Sequence, residues 1–150
     1  MKEKLIIKNF GPIKDVELEL GRFNVLIGEQ ATGKSTIAKL LAVCRYFSYI
    51  VNDQGVFNYP VENKFLEGLT AWGLNEAIKP ESYVEYQGKH YTLKAQYRDY
   101  KTIDRDDEGN PFEYEETLFI PTLSNYSTEF QNLLNELKKI KPQPKVWLRW

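Results

Sequence analysis

Two glycines separated by four residues and followed at once by lysine and serine constrain this chain more than any other stretch of it: Gly28-Glu29-Gln30-Ala31-Thr32-Gly33-Lys34-Ser35. Without Cβ atoms, Gly28 and Gly33 let the backbone turn tightly, so that successive N–H groups converge on one point. The flanks fit such a turn. Phe23-Asn24-Val25-Leu26-Ile27 reads as a short strand buried on both faces. Ile37, Leu40, Leu41, Cys44, Phe47 and Val51 recur at helical spacing, which predicts a helix over Lys34 to Val51. The turn is therefore expected between a strand and a helix N-terminus.

That setting is suited to an anion, because unpaired N–H donors and the helix's partial positive end act together. The spacing is that of a phosphate-binding loop, and chance alone gives it about once in two hundred chains of this length. Gly28, Glu29, Gln30, Ala31, Thr32, Gly33, Lys34, Ser35 and Thr36 are the expected nucleotide contacts. Lys34 is expected on the β and γ phosphates and the Ser35 hydroxyl on Mg²⁺. Thr36 is placed to donate to the α phosphate. The expected ligands are ATP and Mg²⁺, with Ser35 the single metal ligand; catalytic residues stay unassigned.

The remaining chain reads as one nucleotide-binding domain over residues 1–150, a length that buries a core without disulfides. Leu5-Ile6-Ile7 and the alternating Asp15 to Leu20 predict two strands joined at Gly11-Pro12. A weaker helical pattern holds Phe65, Leu66, Leu69 and Trp72. Tyr83 to Tyr86 and His90 to Tyr97 predict a hairpin about Gln87-Gly88-Lys89. The acidic tract Asp104 to Gly109 is read as a turn before a strand over Phe112 to Ile120. Thr128 and Gln131 have capping-box spacing ahead of a last helix ending near Ile140.

Several residues are given no chemical role. The net charge of −1 exerts no general pull on nucleic acid, and the basic run Lys138, Lys139, Lys141, Lys145 and Arg149 reads as a solvated face. One cysteine, Cys44, and one histidine, His90, leave no zinc-ligand spacing. The aromatics at 83, 86, 91, 97, 112, 114 and 119 are expected to pair across strands and not to form a base-stacking platform, since the acids beside them repel phosphate. No run approaches a membrane span or a leader with a cleavage site, so a soluble cytoplasmic chain is expected.

Leu5-Ile6-Ile7-Lys8-Asn9-Phe10-Gly11-Pro12-Ile13 followed by Asn24 to Thr36 resembles the opening of bacterial AAA-family ATPases of the ABC/SMC type, including the overcoming-lysogenization-defect relatives. The resemblance covers roughly the first fifty residues. Gln30 stands where the family usually has asparagine, and Ala31 where it commonly has glycine. It implies an α/β P-loop NTPase fold, the N-terminal lobe of an ATPase head with an antiparallel β region. It also implies hydrolysis between two heads, each lending a signature serine loop, with a carboxylate strand activating water. Those parts have no counterpart here: Ile103-Asp104 has too short an apolar lead, and Leu123-Ser124-Asn125 lacks the signature glycines. Ile120-Pro121-Thr122-Leu123-Ser124 departs from the frequent I-P-A-E-R. The implied partners are ATP and a second head, either another copy of the chain or another ATPase, with nucleic acid met only through a larger assembly. A small P-loop metabolite kinase and a non-hydrolysing nucleotide-gated interaction module are the alternatives. The two strands ahead of the loop favour the head over the kinase.

Overall fold

A computed structural model describes residues 2–54, 61–124, 126–128, 131, 132, 135 and 136. Alternation in the opening segment produces a hairpin of β1 (Glu3–Phe10) and β2 (Ile13–Leu20), in which Leu5 pairs with Leu18 and Ile7 with Val16. Gly11 turns it with a φ of +54°. A proline at the second loop position suits a type II′ hairpin turn, which asks for glycine at the first.

Helix α1 (Lys34–Gln54) and helix α2 (Val61–Ala71) follow, then β3 (Tyr83–Gln87), β4 (Thr92–Arg105) and β5 (Pro111–Ser124). The five strands form one antiparallel sheet in the order β2-β1-β3-β4-β5. The domain is thus mixed α/β, as expected, with its β region wholly antiparallel. Leu5, Ile7, Val84, Leu93 and Ala95 are buried on one sheet face, together with Leu40, Val43, Cys44 and Phe47 of α1 and Phe65 and Leu69 of α2. Phe47 and Phe65 meet edge to face at 5.8 Å and lock the two helices together. The opposite sheet face is polar, with Lys4 on Glu17 at 2.6 Å and Lys94 on Glu85 at 3.6 Å across neighbouring strands.

Sequence and structure differ at three places in this half of the chain. Tyr91 is buried in the core, so the β3–β4 loop widens to residues 88–91 and Gln87 pairs with Thr92. The acidic tract is not all turn: β4 runs to Arg105, and the Asp106 carboxylate closes the tip by accepting the Glu108 and Asn110 N–H groups at 3.0 and 2.8 Å. Since β3 pairs only with Thr92–Gln96, the outer parts of β4 and β5 project as a two-stranded arm about 30 Å long. Finally, Gln131 donates its amide to the Tyr126 carbonyl at 3.1 Å, not back to Thr128, and most of the expected last helix lies outside the described residues.

One polar cluster ties helix to sheet. Glu3 of β1 accepts both Arg45 of α1, at 3.0 and 2.5 Å, and the Tyr86 hydroxyl of β3. The Arg45 guanidinium, more than any other neighbour, holds the Glu3 carboxyl below its ordinary value. A carboxyl depressed in the folded state binds fewer protons than in the unfolded one, so its contribution is present above pH 4.5 and lost as pH falls through the folded value. Glu3→Gln should therefore flatten the acid limb of the stability profile below about pH 4.5, as read by urea denaturation at a series of pH values. An unchanged acid limb would remove this cluster as a source of pH dependence.

Candidate functional site

Helix α1 begins at Lys34 because Gly33, with a φ of +94°, ends the loop and offers its carbonyl to the first helical bond, Ile37 N–H at 2.9 Å. The N–H groups of Lys34, Ser35 and Thr36 consequently have no protein acceptor among the described residues. Lys34 reaches back over the loop. Its ammonium donates to the carbonyls of Gly28, at 2.7 Å, and Glu29, and lies 3.3 Å from the Thr32 hydroxyl. Thr32 in turn donates to the Glu29 carbonyl at 2.9 Å. Ala31 sits at a φ of +60°, the left-handed conformation that glycine adopts freely and that costs another residue about 1 kcal/mol.

Gln30 to Thr36 and Pro12 line a hollow of about 480 Å³. Pro12 is the site residue that sequence reasoning missed, having been read only as part of a turn. A Cβ on Gly33 would lie 2.7 Å from Ile13 and 3.3 Å from Pro12, so the loop rests directly on the β1–β2 turn. Glycine at 33 thus meets a packing demand as well as a conformational one, and no sequence motif signals the contact with Pro12.

The sequence profile of the AAA ATPase domain matches residues 1–147, nearly the whole chain. The chain belongs to this AAA ATPase domain family. No curated protein and no solved structure matches it. Membership in the family implies nucleotide binding.

The strand expected ahead of the loop is not formed. Phe23 to Ile27 pairs with no strand among the described residues, and Phe23, Val25 and Ile27 are 86%, 81% and 90% exposed. The reason is physical: an apolar strand of this kind needs partners on both edges and cover on both faces, and the described part of the domain offers only one flank. There, Phe23 to Leu26, Leu18, Leu20, Ile37, Leu41 and Arg45 bound a hollow of about 570 Å³, larger than the one at the loop and more apolar in its lining residues.

Other residues weighed from the sequence are scattered. Tyr86, Tyr91 and Phe119 are buried, Tyr97 meets Phe119 edge to face at 5.5 Å, and Phe112 and Tyr114 are exposed on the arm. They form no common platform. Asp104, Glu113 and Glu115 also belong to the arm, and among the described residues no carboxylate lines the loop hollow. No cluster of three or more metal-ligating side chains occurs among the described residues, and no described helix is long and apolar enough to cross a membrane. Burial pushes the Cys44 thiol up to about 12, so it remains a protonated core residue.

Gly33→Ala should destabilise the domain by about 1 to 3 kcal/mol, because the added methyl meets Ile13 and the backbone angle disfavours it. Chemical denaturation gives the difference directly. Stability equal to that of the unsubstituted chain would show that the loop does not rest on the turn.

Proposed function

We propose that this domain binds ATP with Mg²⁺ through Gly28 to Thr36 and is the N-terminal lobe of an ABC/SMC-type ATPase head. The observation that carries the reading is the joint presence of three unpaired N–H groups at the α1 N-terminus and the Lys34 ammonium poised across the same loop. Phosphate oxygens would replace the carbonyls that Lys34 now contacts, setting a charged acceptor opposite the ammonium in place of a neutral one. The Ser35 hydroxyl, exposed on the first turn, would ligate Mg²⁺, which supplies neutralisation of phosphate charge. Glu29, Gln30, Ala31 and Thr32 would surround the phosphates with backbone.

The partial-head reading rests on the unpaired Phe23–Ile27 segment. A buried parallel strand is mostly continuous in apolar character and needs neighbours on both edges, and four apolar residues, Phe23, Val25, Leu26 and Ile27, lie exposed immediately before the loop. Flanking strands from the rest of a head would cover them and bring the water-activating and Mg²⁺-supporting carboxylates absent from the loop hollow. Phosphoryl transfer needs those groups in addition to phosphate contacts. The domain is then a nucleotide-binding unit whose turnover depends on assembly with a second lobe or head.

Isothermal titration should find MgATP binding that Lys34→Ala largely removes in a folded protein. Ser35→Ala should weaken binding in Mg²⁺ more than in EDTA, and equal losses would give Ser35 another role. Phosphate release by residues 1–150 alone should stay well below about 1 s⁻¹. A faster rate abolished by Lys34→Ala would overturn the partial-head reading, and unchanged affinity in Lys34→Ala would overturn nucleotide binding at this loop.

A further inference from the structure

Residues 22–32 make no backbone–backbone hydrogen bond to the rest of the fold among the described residues, so something else must fix the position of the loop. Gly33, at its end, rests on Pro12 and Ile13. The turn bearing those two residues is itself held by a segment far away in sequence. Ala77, in a short 3₁₀ turn (Asn75–Ala77), accepts the Gly11 N–H at 2.8 Å. The Lys79 ammonium donates to the Gly11 carbonyl at 2.7 Å, and the Ser82 hydroxyl donates to the Asn9 carbonyl at 2.5 Å. Ser82 is buried, and its oxygen also accepts the Lys79 N–H at 2.8 Å, which fixes the two residues relative to each other.

These bonds fall where the turn most needs them. Asn9 and Gly11 both have left-handed backbones, with φ of +48° and +54°. A non-glycine residue in that region persists where its surroundings over-determine it, and here the Asn9 and Gly11 carbonyls are the atoms clamped. Gly11 is also tightly packed: a Cβ there would lie 3.2 Å from Ala77 and 3.9 Å from Thr36, so the clamp, the turn and the first helical residues of the site are in near contact.

We infer that Lys79 and Ser82 are positioning residues for the phosphate loop, acting through the Asn9–Ile13 turn on Gly33. The inference rests on the nucleotide-binding reading of that loop and adds two residues outside its motif. Neither side chain lines the loop hollow, so their effect is on geometry. A nest of N–H donors loses affinity when its wall shifts, because the donors must converge on the same oxygens.

The test uses residues 1–150 with MgATP as the probe and Lys79→Met, Lys79→Arg and Ser82→Ala as variants. Lys79 is exposed, so Lys79→Met removes the ammonium without opening the core. Titration should give MgATP binding about three- to tenfold weaker in Lys79→Met, with Lys79→Arg within about twofold of the original. The rise in melting temperature produced by MgATP should shrink in Lys79→Met and Ser82→Ala, more than the nucleotide-free melting temperature of Lys79→Met falls. A purely structural role would lower the nucleotide-free temperature and leave the nucleotide-induced rise intact, and that result overturns the inference. So does an affinity for Lys79→Met equal to the original, or a Lys79→Arg as weak as Lys79→Met. Should the unsubstituted chain bind no MgATP, the nucleotide reading fails on its own, and amide hydrogen exchange still decides the clamp: Lys79→Met must speed exchange at both Gly11 and Ile37, and unchanged exchange at Ile37 overturns the coupling.

Discussion

The contact of Gly33 with Ile13 and Pro12 joins the two halves of this domain. On one side lies an antiparallel sheet whose register and burial are fixed by alternating side chains; on the other lies a loop with almost no backbone bonds of its own. A single absent side chain lets the two surfaces touch. Helix α1 packs on the sheet through Ile37, Leu40, Val43, Cys44 and Phe47, and the Gly33 contact adds a direct link between its N-terminus and the β1–β2 turn. The site's geometry is therefore a property of the sheet, transmitted through one hairpin turn.

Local pattern made the loop, its lysine and serine, the β1–β2 hairpin and α1 readable from residues alone, because each depends on neighbours in sequence. Two-residue alternation from Asp15 to Leu20 and helical recurrence from Ile37 to Phe47 needed no tertiary knowledge. What escaped was set by partners distant in the chain. Phe23 to Ile27 has the composition of a buried strand, and composition states a preference that only neighbouring strands can satisfy. Pro12 entered the site by packing against a residue twenty-one positions away, with no motif to announce it. The length of β4 was hidden by Asp104 and its acidic neighbours, which read as a turn although only Asp106 to Asn110 bend.

The Glu3, Arg45 and Tyr86 cluster places charge at the edge of an otherwise apolar interface between α1 and the sheet. Its three members come from three elements and share one carboxylate, so ordering any two prepares the third. Isolated surface ion pairs contribute little; a bidentate pair with a phenol alongside is more constrained and favours one placement of α1 over slid alternatives.

The arm formed by β4 and β5 has long stretches of strand edge that pair with no strand among the described residues, since β5 ends the sheet and the outer part of β4 lies beyond the reach of β3. Open edges recruit other strands, and this arm also exposes Ile103 and Phe112. Residues 98–118 carry eight acidic side chains against three basic ones. Two such ribbons approaching each other would each bring a net excess of acid, and that repulsion opposes sheet extension. Charge repulsion of this kind opposes edge-to-edge pairing of two such ribbons without any covering element.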